Sequence, residues 1–194
     1  LYSGAGGLDE GFVRAGVDIT WAIDSDKDAV ATYRDNIGDH VACGDVLSVD
    51  PPQSLNPDLV IGGPPCQGFS VIGRMDPTDP RSRHVRHFLD VVENFGPRAF
   101  VMENVKALGV NPRWEGVREQ LLTRARALGY STRIFVLNAT DFGVPQSRER
   151  MFMIGIRGVP PEPPVPTRSG GPMTVREAFA SLPRFGSKGN DSKC

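Results

Sequence analysis

The sequence has little cysteine: Cys43, Cys66 and Cys194 are the only three in 194 residues. They are far apart, odd in number and form no CxxC pair, so neither a disulfide framework nor a zinc site is suggested, and no metal is expected. No apolar run reaches the roughly 18 residues that a membrane-spanning helix needs. Charge of one sign is also lacking. Lys and Arg number 22 against 23 Asp and Glu, a net charge of −1, so composition alone gives no pointer to nucleic acid. There is no internal repeat and no signal-peptide pattern. A reducing, cytoplasmic setting is the default expectation. The full dinucleotide fingerprint GxGxxG is missing, because Asp9 stands where its third glycine would be. That counts against a nicotinamide oxidoreductase.

What is present alternates between strand-like and helix-like runs. Residues 58–61 (DLVI), 99–102 (AFVM), 132–137 and 151–156 read as strands, and residues 19–23 as another. Residues 87–95 (HFLDVVENF) and 114–128 (WEGVREQLLTRARAL) place apolar side chains at helical spacing, and Gly129 supplies a stop. Thr174 followed by Glu177 reads as a capping box opening a short last helix. Apolar strands alternating with helices predict an α/β fold, a mainly parallel sheet with helices on both faces. Residues 1–157 are expected to form the catalytic and cofactor-binding domain. Residues 158–172 hold six prolines and three glycines, and residues 158–194 read as an exit linker with a short helix. Because the chain opens at Leu1 within a strand-like run and stops at Cys194 in a polar one, a fragment is expected.

Ligands bind beyond the carboxyl ends of the strands in such sheets. Three strand ends carry unusual residues. The first is the glycine loop Tyr2-Ser3-Gly4-Ala5-Gly6-Gly7-Leu8, followed by a helix whose N-terminus favours negative charge. Asp24 lies 20 residues beyond Gly4, a spacing that suits a ribose diol. Asp45, after a third short strand, could accept from an adenine amino group. The second is IGGPPCQGFS, residues 61–70. Prolines fix the backbone and glycines permit close approach, which together aim one sulfur, that of Cys66. The third is Glu103-Asn104-Val105, a carboxyl carried out of an apolar run and a candidate acid. Gln146-Ser147-Arg148-Glu149-Arg150 enters a later strand, where alternate arginines would share a face and could grip an anion or carbonyl oxygen.

Together these stretches resemble the DNA (cytosine-5) methyltransferases. "YSGAGGL", "GGPPCQGFS", "ENV" and "QSRER" are similar, in order, to that family's cofactor loop, nucleophile loop, acid motif and arginine motif. "DPRSRH" is similar to the segment after its mobile loop. The resemblance implies a Rossmann-like S-adenosylmethionine-dependent methyltransferase domain acting on cytosine in double-stranded DNA, in a restriction-modification setting and a cytoplasmic or nucleoid-associated location. It implies Cys66 as nucleophile on a flipped-out base, Glu103 on the exocyclic amine and N3, and Arg150 on the carbonyl. Arg148 would support the cysteine loop and Asn104 its backbone. Tyr2, Ser3, Gly4, Ala5, Gly6, Gly7, Leu8, Asp24, Ser25, Asp45, Val46 and Pro65 would line the S-adenosyl-L-methionine site. Gln67, Ser70, Arg74, Arg81 and Arg83 would touch DNA, within a loop spanning residues 68–87. Two matches are imperfect: Ser25 and His84 stand where many relatives carry bulkier or aliphatic residues. Also unmatched are a target-recognition region and a C-terminal segment, which a longer chain or a second chain would have to supply. A transfer RNA methyltransferase shares the same motifs and stays open as an alternative.

Overall fold

The computed structural model describes residues 1–65, 83–168, 171–180 and 182. Contacts divide the chain into two compact units, one of Leu1–Val136 with Arg150–Pro163 and one of Leu137–Glu149 with Pro164–Cys194.

The first unit begins with the glycine loop and α1 (Gly7–Arg14). There follow β1 (Ala22–Asp24), α2 (Lys27–Asn36), β2 (Val41–Cys43) and β3 (Leu59–Gly62). Next come α3 (Arg83–Phe95), β4 (Ala99–Val105), α4 (Lys106–Val110) and α5 (Glu115–Ala127). Then β5 (Tyr130–Asn138) and β6 (Glu149–Arg157) close the sheet. β1 and β2 pair in parallel, as do β3 and β4. The four-stranded sheet runs β3-β4-β6-β5, with β6 antiparallel to β4. The expected α/β architecture is present, and the β4–β6 pairing departs from the parallel arrangement.

Helix α3 shows why the core forms where it does. Val85, Phe88, Leu89 and Val92 recur at helical spacing and are buried. Phe88 meets Phe100 of β4 edge-on at 6.1 Å, and Phe100 meets Tyr130 of β5 at 5.1 Å. Burying each such side chain contributes about 1.5–3 kcal/mol. Gly155 of β6 lies under the Phe100 ring, where any Cβ would collide with it. The packing holds β4, which carries Glu103 and Asn104, against α3, which carries His84 and His87. Helix α3 is already helical at Arg83, four residues before the start that periodicity predicts, because the apolar stripe already begins at Val85. The strand expected over residues 19–23 is confined to Ala22–Asp24.

In the second unit, the Asn138 side chain accepts from the backbone of Thr140 at 3.3 Å and of Arg148 at 3.1 Å. Thr174 and Glu177 form the expected capping box over α6 (Val175–Phe179).

Candidate active site

The glycine loop is held from three sides. Leu1 donates its backbone amine to the Ile61 carbonyl at 2.8 Å, and Ser3 N–H donates to the Ile23 carbonyl at 3.1 Å. The first residues therefore run between the ends of β3 and β1. Gly62 has no room for a side chain, since a Cβ there would lie 2.6 Å from the Leu1 carbonyl oxygen. Gly4 N–H donates to Asp24 Oδ2 at 2.7 Å, and Asp26 N–H donates to Asp24 Oδ1 at 2.9 Å. Asp24 thus ties the loop to the end of β1, a local role that spacing did not predict. Gly6 caps α1 at a φ of 94°, and a Cβ there would meet Ile37 at 2.7 Å and Tyr33 at 3.0 Å. Tyr33 in turn donates to buried Asp9 at 2.7 Å and lies 3.2 Å from His40 Nε2. The residue that breaks the glycine fingerprint is therefore a buried anchor for α1. Tyr2 adopts a φ of 56°, the one left-handed non-glycine among the described residues. Such strain persists only where the surroundings enforce it.

Asp45 and Val46 follow β2. Asp45 is exposed and accepts from Leu47 N–H at 3.0 Å, while Val46 is buried. Helix α3 reaches both these residues and Tyr2. The Tyr2 hydroxyl lies 3.3 Å from the His84 carbonyl oxygen and 3.3 Å from its Nδ1. His87 Nε2 lies 3.0 Å from the Val46 carbonyl oxygen. Burial, with the nearby Asp45 and Asp90 carboxylates, pushes the Tyr2 hydroxyl up from its usual range. Burial, aided by the Arg83 charge, holds His84 below the usual histidine value. The loop expected over residues 68–87 takes in both histidines; on α3 both turn toward protein groups. Arg83, at the start of α3, is exposed. His87 carried no distinguishing signal in the sequence beyond its one-turn spacing from His84.

The other half of the site is built on β3 and β4. Asn104 is 1% exposed and donates from Nδ2 to the Pro64 carbonyl at 3.0 Å, while Val105 N–H donates to its Oδ1 at 2.9 Å. This fixes the backbone that leads through Pro65 toward Cys66. Gly63 lies beside Glu103, whose Oε2 would be 3.3 Å from a Cβ at that position. Across the antiparallel pairing of β4 with β6, Arg150 Nε approaches Glu103 Oε1 at 3.0 Å, both side chains about a quarter exposed. Arg148 precedes β6 and belongs to the second unit, so strand alternation covers Arg150 and not Arg148. Cys66, Gln67, Ser70, Arg74 and Arg81 lie outside the described residues.

Two observations leave the first half able to hold a bound group. Ser3 Oγ is buried with no hydrogen-bond partner among the described residues. Gly4 and Gly7 border open space, where a Cβ would meet nothing within 4 Å. Ala5, Gly7 and Ser25 are exposed, and Leu8 and Pro65 half-buried. A cavity of about 460 Å³ lies elsewhere, beside Leu1, Trp21, Pro57 and Val60 near the amino ends of β1 and β3. It is away from Asp24 and Glu103 and is not the candidate site. Among the described residues no helix is long and apolar enough to cross a membrane, and no group of His, Cys, Asp and Glu could hold a metal ion.

The chain is similar to known proteins. The Type II methyltransferase M.AgeI of Thalassovita gelatinovora is 37% identical over 94% of this chain and 50% of its own length. The Type II methyltransferase M.AquIA of Picosynechococcus is 43% identical over 81% of this chain and 70% of its own. A solved prophage-encoded protein of E. coli, described as a DNA modification methyltransferase, superposes with a TM-score of 0.79 and 29% identity. That match covers 95% of this chain and 54% of that one. The chain spans about half the length of M.AgeI and of that solved structure. The family model for C-5 cytosine-specific DNA methylases matches residues 1–170. The chain belongs to the C-5 cytosine-specific DNA methylases.

Proposed function

We propose that this chain is the catalytic part of an enzyme that methylates carbon 5 of cytosine in double-stranded DNA. Residues 158–194 would act as a linker toward a target-recognition region. The observation that carries the reading is the junction of β3 with β4. Asn104 holds the Pro64 carbonyl at 3.0 Å while Glu103 and Arg150 form a charged pair beside Gly63. The residue that follows Pro65 is the one sulfur that the motif aims.

S-adenosyl-L-methionine, when bound, supplies an electrophilic methyl group on a sulfonium. Asp24 would accept from the ribose hydroxyls, Asp45 from the adenine amine, and Ser3 Oγ, unpartnered and buried, would gain a partner. Tyr2 and Val46 would flank the base. Gly4, Ala5, Gly6, Gly7 and Leu8 would pass the methionine part, with Pro65 at the sulfonium side and Ser25 over the adenine.

On the substrate side, the cytosine leaves the helix stack to reach the site. The Cys66 thiolate adds to ring carbon 6, forming one sulfur–carbon bond while the displaced ring electrons collect at N3 and carbon 5. Glu103 holds N3 and the exocyclic amine, where the proton that balances that charge arrives. Arg150 faces the carbonyl oxygen. Asn104 keeps the Pro64–Pro65 turn in register with Glu103. Once carbon 5 is methylated, loss of its proton expels the thiolate and restores the ring. Gln67, Ser70, Arg74, Arg81 and Arg83 would contact the DNA backbone, which positions without reading sequence.

The experiment is transfer of tritium from labelled S-adenosylmethionine to duplex DNA and to transfer RNA. Incorporation into DNA supports the proposal, and incorporation into transfer RNA alone overturns it. Base flipping costs a few kcal/mol, and sequence choice needs side chains at base edges. The 194 residues alone are therefore expected to give no site-specific product by bisulfite sequencing, and a site-specific product would refute that part.

A further inference from the structure

We infer that His87 is a positioning residue for the cofactor, donating from α3 to the backbone of the Asp45–Val46 turn. The inference rests on the reading of that turn as part of the cofactor site.

The geometry is specific. His87 Nε2 lies 3.0 Å from the Val46 carbonyl oxygen. A carbonyl oxygen can only accept, so Nε2 carries the hydrogen. The other ring nitrogen, Nδ1, faces Asp90 Oδ2 at 3.6 Å. Asp90 presents its second oxygen to Arg124 Nη1 of α5 at 2.7 Å. Asp90 is thus held by the Arg124 guanidinium and lies beside the imidazole, beyond hydrogen-bond distance from it.

The turn has few other ties to the unit. Val46 is buried at 5% exposure, and Gly44 N–H, just before the turn, donates to the Asp24 carbonyl at 2.9 Å; the turn around Val46 is otherwise held by short local bonds, from Leu47 N–H to Asp45 Oδ1 and from Ser48 N–H to the Asp45 carbonyl. Those bonds shape the turn without tying it to the rest of the unit. His87 supplies such a tie, across 41 residues of sequence. One helical turn earlier, His84 meets Tyr2 edge-on, with ring centroids 5.6 Å apart. The first turns of α3 therefore brace two cofactor-facing segments at once, and His87 does so at the segment expected to read the adenine.

The test is calorimetric titration of S-adenosylmethionine into the whole protein and its His87→Phe and His87→Gln variants. Phenylalanine fills much of the space but donates nothing, whereas glutamine keeps an N–H donor. Affinity in His87→Phe should fall about 2- to 12-fold, the span of one hydrogen bond, and His87→Gln should recover part of it. In transfer assays the KM for the cofactor should rise while kcat stays near the native value. Equal affinity of native protein and His87→Phe, or a loss that glutamine does not relieve, overturns the inference while leaving the cofactor site intact. If the phenylalanine variant does not fold, His87→Ala against His87→Gln carries the same comparison. A native protein that binds no S-adenosylmethionine overturns the reading of the site itself, and this inference with it.

Discussion

Asp24 offers a perturbation whose consequences separate cleanly. Its carboxylate accepts from Gly4 N–H at 2.7 Å and from Asp26 N–H at 2.9 Å, one bond to each oxygen. Each oxygen keeps a second lone pair for a ribose hydroxyl. Asp24→Ala therefore removes two kinds of interaction. The internal pair contributes about 1.5 kcal/mol per bond, the low end for a charged acceptor because the side chain is only half-buried, or about 3 kcal/mol of folding stability. The ribose bond contributes about 1.5–3 kcal/mol of binding, a factor of roughly 12 to 160 in Kd. A loosened glycine loop lowers affinity further, so the total loss overstates the ribose contact. A cofactor analogue lacking both ribose hydroxyls resolves the two. Native protein should bind it weaker than the parent cofactor by that same factor, and Asp24→Ala should bind both alike. Urea unfolding of the free protein reads the loop part separately. If the alanine variant still prefers the parent cofactor as strongly as native protein does, Asp24 holds the loop and does not touch the ribose. Unchanged unfolding would remove the loop role instead.

Glu103→Gln keeps the volume and one acceptor but loses both the acid and the charged pair with Arg150; single-turnover methyl transfer should slow by roughly 10²–10⁴. Near-native rates would leave the pair a purely structural contact. His84 is held below its ordinary value, chiefly by burial, so the fold binds fewer protons at this site than the unfolded chain. Its contribution is complete above about pH 6.5 and is lost as pH falls below that value. Melting temperature should therefore drop more steeply between neutral and mildly acid pH in native protein than in His84→Phe, and parallel profiles would refute this.

The sequence made the family legible because the motifs are local. Loop residues Tyr2 to Leu8, the Gly-Pro run before Cys66 and Glu103-Asn104 are each contiguous, and the capping box at Thr174 needs only four residues. What stayed hidden depends on partners far along the chain. The Glu103–Arg150 pair exists because β6 inserts antiparallel beside β4, a register that no local pattern encodes. Asp9 looked like a defect in a glycine fingerprint, and its role emerges only when Tyr33 and His40 fold against it. His84 and His87 fall within the loop expected over residues 68–87. Their inward turn follows from the stripe that begins at Val85 and commits the whole segment from Arg83 to helix. Arg148 and Arg150 look equivalent by alternation, yet the strand opens between them at Glu149.

The central claim is that the strand-end turn aims one particular sulfur at a cytosine. Duplex DNA carrying 5-fluorocytosine cannot release a carbon 5 proton after methyl transfer, so an attacking thiolate stays attached. Incubation with S-adenosylmethionine, digestion and peptide mass spectrometry then locate the attachment. The account predicts a single adduct at Cys66, absent in Cys66→Ser while that variant still binds the cofactor. An adduct at Cys43 or Cys194, or one that persists in the serine variant, would contradict it.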